Sequence, residues 1–161
     1  MGAATAVPWP GDIGGQGNAG VANQVQQIPG AIGYVELADA AQNNMAWAQV
    51  QNSAGKFLDP ALDTAVAASE IPTLPDNMEV LVVNSTNPNA YPIVGFTWAI
   101  VYVNMTDAAK ADTMAHLLWW MEHDGQRLGT PLDYVAIEGS ALGKAENLVR
   151  KIMLNGKPVL Q

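Results

Sequence analysis

The 161-residue chain contains no cysteine, which excludes disulfides, thiolate nucleophiles and zinc-thiolate sites and leaves the redox compartment open. Positive charge is scarce: seven Lys plus Arg stand against fifteen Asp plus Glu, for a net charge of −8 and a pI of about 4.4. With no basic stripe to displace counterions, nucleic acid and anionic membranes are poor partners. The same field repels a free anion at long range, so an anion site here must work through local hydrogen bonds. Long apolar runs are missing as well. None approaches the roughly 18 residues needed to span a bilayer, and the densest, FTWAIVYV at 96–103, has the length of a strand. The opening MGAATAV lacks both a basic segment and an apolar one, so no secretory signal is expected. What is present is the composition of a folded domain, 49% hydrophobic and 14% charged, in a chain long enough for one ordinary core.

Patterning along the chain interleaves helices and strands. Two prolines around Trp9 make the first dozen residues an extended loop. Asn18 stands as the N-cap of a helix through Gln27, with Val21, Val25 and Ile28 on one face. Pro29-Gly30 is a turn before a buried strand at 31–36, and the alanine-rich LADAAQNN leads to a strand-like 45–50. NSAGK then turns into Phe57-Leu58, and Asp59 caps a short helix over 60–68 with Pro60 at its first position. Pro72 and Pro75 mark a loop, followed by strands at 79–84 and 96–103 on either side of STNPNAYP. Thr106 and Asp107 cap a long helix to about His123 whose core face carries Met114, Leu117, Leu118 and Met121. After the extended LDYVAI, a last helix runs from about Ser140 to Leu154 and ends at Asn155-Gly156. The pattern is that of an α/β fold.

Several motifs bear on chemistry. Gly15, Gly17 and Gly20 spell G-x-G-x-x-G, with Glu36 further on, the spacing of a dinucleotide-binding turn. That turn must leave a hydrophobic strand, and the preceding ATAVPWPGDI holds two prolines, so the context test fails. Asp112, His116 and His123 fall on roughly one helix face and are candidate metal ligands, although a wet helix face also collects such residues. Gly139-Ser140-Ala141-Leu142-Gly143 is not the G-x-S-x-G elbow of hydrolases, and Ser140 reads better as an N-cap. Asp133, Glu138 and Glu36 are each a possible general base, with nothing to select one. The five tryptophans, including Trp119-Trp120, read as core and interface. The residues by themselves point to an acidic α/β binding module rather than an enzyme.

Taken together, VPWPGDIGGQGNAGVANQVQQIPGAIGYVELADAAQNN closely resembles the later half of the phosphate-binding protein of bacterial phosphate ABC transporters, the PstS type. The resemblance resumes at NAYPIVGFTWAIVY and LDYVAI and ends near NGKPVL. It implies a type II periplasmic-binding-protein fold, two α/β lobes with phosphate held in the cleft between them. Phosphate is bound in that family by backbone amides, hydroxyls, an arginine and an aspartate, a hydrogen-bond inventory suited to an acidic protein.

Those ligands lie in the family's N-terminal half, and none can be carried over. No Ser-Gly-Thr segment occurs here, and Arg127 and Arg150 stand in other contexts. The resemblance therefore implies a partial fold, with residues 1–90 resembling the second lobe and 91–161 the return into the first. It would be completed by a missing N-terminal half or by homo-oligomerisation. Phosphate would bind only if that half is supplied, Gly17 and Asn18 at a helix start being the weak candidates here. The implied setting is the periplasm or cell envelope, with an ABC transporter permease as the full-length family's partner and no cofactor. Two alternatives stay open: a free-standing oligomeric structural remnant, and a metal-dependent hydrolase built on residues 112–123. Without sheet neighbours, strands such as 96–103 are expected to show bare edges and an uncovered apolar face.

Overall fold

The computed structural model describes residues 10–11, 13–71 and 73–160. The loop expected around Pro8 and Trp9 lies outside them, as does Pro72. The chain divides into two units, residues 1–47 and 48–161. Each is described by itself.

In the first unit, α1 (Gly17–Gln27) packs on α2 (Leu37–Gln42), with Ala22 and Ala40 buried. The Gln26 side-chain amide donates to the Asn43 carbonyl at 3.1 Å and closes the pair. α1 starts two residues earlier than expected: Gln16 is the N-cap, with no side-chain cap bond, and Asn18 lies inside the helix. The turn after α1 follows expectation, with Gly30 at φ +80, a conformation glycine adopts freely. Residues 31–36 pair with no strand among the described residues.

The second unit begins with a hairpin, β1 (Val50–Gln51) antiparallel to β2 (Phe57–Leu58), in the register Val50 to Leu58 and Gln51 to Phe57. The strand expected at 45–50 is thus shorter and displaced. Asn52, only 6% exposed, organises the turn. Its side-chain carbonyl accepts from the Ala54 and Lys56 amides at 3.0 and 3.1 Å, and its NH2 donates to the Pro88 and Ala90 carbonyls, each at 3.1 Å. All four bonding positions are used, which is how a buried amide is accommodated. α3 (Leu62–Ser69) starts two residues beyond the expected Pro60. Thr64, rather than Asp59, ties its start: the Thr64 hydroxyl oxygen accepts from the Ala61 amide at 3.1 Å and lies 2.9 Å from the Asp59 carbonyl.

α4 (Ala108–Glu122) begins as expected, with the Asp107 carboxylate accepting from the Lys110 amide at 3.1 Å. Its core face is different. Ala111 and Ala115 are buried and Leu118 and Trp119 pack beside them, while Leu117 and Met121 are exposed. Small residues win that face because they let neighbouring backbone approach closely. Two 3-10 turns (Asp124–Leu128 and Thr130–Leu132) lead towards α5 (Gly139–Val149). The N-cap of α5 is Glu138, not Ser140.

The expected continuation of α5 to Leu154 is replaced by β4 (Met153–Leu154) and β5 (Lys157–Pro158). Asn155 at φ +49 and Gly156 at φ +80 form the tight hairpin turn between them, the other structure that Asn-Gly favours. β4 also pairs in parallel with β3 (Asn104–Met105), giving the order β3-β4-β5. Two apolar clusters flank α5. Leu74, Met78 and Ala145 form one with Ile71, Val80, Ile137, Ala141 and Leu148; Ala115, Val149 and Ile152 form the other with Val101, Met105, Leu118, Trp119, Val159 and Leu160. The fold is mixed α/β, with short strands.

Candidate functional site

The glycine-rich run is a packing device. A Cβ on Gly15 would lie 2.5 Å from the Val21 amide nitrogen and 2.6 Å from the Gly20 carbonyl carbon, so only glycine permits this loop-to-helix approach. Gly33 is pressed against the same helix, where a Cβ would meet Val25 and Val21 methyl carbons at 2.7 and 2.8 Å. The Asn18 side-chain carbonyl accepts from the Glu36 amide at 3.3 Å, binding the later segment to the helix start. Asn18 therefore serves the scaffold. Gly17, at φ +63 with open space where a Cβ would stand, opens α1.

Asp112, His116 and His123 do not form one site. His116 Nδ1 lies 2.9 Å from the Asp112 carbonyl oxygen and 3.3 Å from its carboxylate, with both side chains exposed. His123 instead turns to α5, where its Nε2 lies 3.0 Å from Glu146 Oε1. Among the described residues no group of three His, Cys, Asp or Glu is arranged to hold a metal ion. Asp133 and Glu138 are exposed on the approach to α5.

The partners of His123 were not legible from spacing. Its Nδ1 lies 2.7 Å from the Trp119 carbonyl, and its ring stacks on the Trp119 indole at 4.5 Å. Arg150 lies over the same indole, 4.6 Å from its centroid, and reaches Glu146 Oε2 at 3.4 Å. Glu122 places one carboxylate oxygen in the interior without a partner, and burial pushes that group up to about 7. The bond to the Trp119 carbonyl, followed by Glu146 and Glu122, raises the His123 imidazole above its ordinary value, against a lowering by desolvation.

The most extensive unsatisfied feature is apolar. Residues 96–102 make no ladder pairing among the described residues, and the Val103 carbonyl accepts from the Met153 amide at 2.6 Å where the run joins the β3–β4 pair. Within the run, Trp98, Ile100 and Tyr102 are exposed at alternate positions, Ile100 by 97% and Tyr102 by 83%, while Val101 packs into the core. Thr97, Ala99 and Val103 are exposed as well, so the run is bare over most of its length, with Val101 as its anchor in the core. Leu81 and Val83 are exposed on either side of the buried Val82. In the first unit Ile32, at 97%, and Tyr34 repeat the pattern. Large apolar residues at alternating positions beside unpaired backbone make a surface for another strand or sheet. The run leads directly into β3, whose one pairing among the described residues is to β4.

Such surfaces accompany similarity to substrate-binding proteins of phosphate transport. The chain is 35% identical to the phosphate-binding protein PstS of Xylella fastidiosa strain Temecula1, over 94% of this chain and 40% of that protein. It is 33% identical to the phosphate-binding protein PstS of Haemophilus influenzae, over 85% of this chain and 42% of that protein. The archaeal phosphate-binding protein PstS of Methanocaldococcus jannaschii matches at 31%, over 79% and 37%. The chain is a relative of the PstS-type phosphate-binding proteins, and the resemblance read from the glycine-rich run is borne out. It spans about 40% of the length of the relatives it matches. No family model matches the chain.

Proposed function

We propose that this chain is one part of a phosphate-binding protein serving ABC-type import, and that it binds inorganic phosphate only when the remaining part is supplied. The observation that carries this reading is the bare apolar run at 96–103, supported by Leu81, Val83, Ile32 and Tyr34. Covering an exposed Ile or Tyr is worth roughly 1.5–3 kcal/mol each, so several such residues favour permanent cover over exposure. The resemblance assigns phosphate ligands to the part of the family outside this stretch, in keeping with the absence of a Ser-Gly-Thr segment here. Residues 1–90 then belong to the second lobe and 91–161 to the return into the first, so each supplies an incomplete sheet. The assembled protein would work in the periplasm or cell envelope and deliver phosphate to a transporter permease.

A second reading has the same bare strands covered by further copies of this chain, in an oligomer that does not bind phosphate. One experiment separates the two. The chain is co-expressed with the unmatched part of the Xylella relative, and the purified material is weighed by light scattering and titrated with phosphate. The first reading expects a one-to-one complex that binds phosphate. Failure to associate, with this chain instead forming a stable homo-oligomer, supports the second reading and overturns the first.

A further inference from the structure

The contact between α4 and α5 contains a proton that its geometry requires. His123 Nδ1 lies 2.7 Å from the Trp119 carbonyl, and a carbonyl can only accept, so Nδ1 carries a hydrogen. The other ring nitrogen, Nε2, lies 3.0 Å from Glu146 Oε1. A neutral ring with its hydrogen on Nδ1 would turn the Nε2 lone pair towards a carboxylate oxygen, two acceptors face to face. The contact is a hydrogen bond only when a second proton sits between them.

We infer that His123 and Glu146 form a proton-operated latch that joins α4 to α5 when the shared proton is bound and loosens that junction when it is released. The excursion between the helices is tied at the same end. The Gln126 amide donates to the Glu122 carbonyl at 2.7 Å and to the Ile137 carbonyl at 3.0 Å, and its side-chain carbonyl accepts from the Ile137 amide. The latch therefore closes a loop, residues 124–138, that Gln126 already gathers in. Its charged surroundings favour the proton. From its own helix His123 is faced by Glu122, with one buried and unpartnered carboxylate oxygen. From α5 it is faced by Glu146, which Arg150 approaches from the far side. The adjoining 3-10 turn carries Asp124 and Arg127, neither paired with the latch among the described residues, and β3 and β4 carry no charge. Burial holds the Glu122 proton up to about 7, and the bond to the Trp119 carbonyl raises the His123 imidazole above its ordinary value, so the latch opens as pH rises.

The test uses the full chain. Amide hydrogen exchange of α5 is compared at pH 5.5 and 8.5 after correction for intrinsic exchange, and the His123 ring is titrated by NMR. The latch expects α5 protection to fall by about fivefold at the higher pH. In Glu146→Gln the His123 midpoint should drop and the pH difference in protection should shrink, leaving the part due to Glu122, because an amide oxygen no longer attracts the second proton. Equal protection at both pH values in the unaltered chain overturns the inference without recourse to any variant. A His123 midpoint unmoved by Glu146→Gln does so too.

Discussion

Replacing Asn52 by alanine removes four hydrogen bonds from a side chain that is 6% exposed. The loss is not four equal parts. The Ala90 carbonyl sits at a buried residue and loses its Asn52 donor, a desolvation penalty of roughly 1–3 kcal/mol. Ala54, Lys56 and Pro88 are exposed, so their backbone groups recover water and lose only about 0.5 kcal/mol each. The sum is a destabilisation of about 3 kcal/mol, or a fall in Tm on the order of 10 °C for a unit of this size. Urea denaturation followed by tryptophan fluorescence measures it, and the slope should stay constant while the midpoint falls. Asn52→Asp sharpens the test. It keeps the shape but sets a carboxylate against carbonyls that Nδ2 now contacts at 3.1 Å, so burial and like partial charge raise its folded value above the unfolded one near 3.9. Stability is therefore retained at pH below about 3.9 and lost as pH rises, leaving Asp worse than Ala at neutral pH. A cost below about 0.5 kcal/mol for Asn52→Ala would refute the reasoning.

Gly33→Ala should destabilise the first unit by about 1–3 kcal/mol, because its Cβ meets Val21 and Val25 methyls below 3.0 Å. Gly14→Ala, with nothing within 4 Å of the new carbon, is the matched control, and equal midpoints for the two would contradict the packing assigned to the glycine run. Gly156→Ala, at φ +80, should cost about 1–2 kcal/mol by thermal melting, through strain in the β4–β5 turn. Ile100→Lys should weaken association with a complementary part or with another copy by tenfold or more in equilibrium sedimentation, while unchanged affinity would remove 96–103 from the interface. Glu122 stands near 7 when folded against an ordinary 4.5, so the folded chain keeps a proton that the unfolded chain releases. Stability is then full below about pH 4.5 and falls as pH rises through 7, and the raised His123 acts in the same direction. Urea midpoints should decline from pH 5 to 8, and decline less steeply in Glu122→Gln, where His123 remains. A rising midpoint would oppose the account.

Local signals in the sequence carried well where their cause was local. Asp107 caps α4, Pro29-Gly30 turns after α1, and Phe57-Leu58 follows a turn. They failed where two structures compete for the same residues. Asn155-Gly156 suits a helix end and a hairpin alike, and the pairing of β4 with β3, some fifty residues earlier, decided for the hairpin. The α4 core face was expected on Met114, Leu117, Leu118 and Met121; Leu118 does pack there, yet close approach selected Ala111 and Ala115 as the buried residues. The dense apolar run at 96–103 was legible as a strand, but a run in one chain does not say whether a neighbour is present to pair with it. The His123–Glu146 contact joins residues 23 positions apart on two helices, which spacing along one helix could not reveal. The glycine spacing looked like a nucleotide turn and is explained by Gly15 and Gly33 lying against α1.

The most direct measurement is a calorimetric titration of phosphate into the purified chain after exhaustive phosphate removal, with its mass followed by light scattering in the same buffer. The account predicts no heat of binding up to millimolar phosphate from the chain alone, and binding once the complementary part is added. One-to-one micromolar binding by a monomer of 17.0 kDa would contradict it.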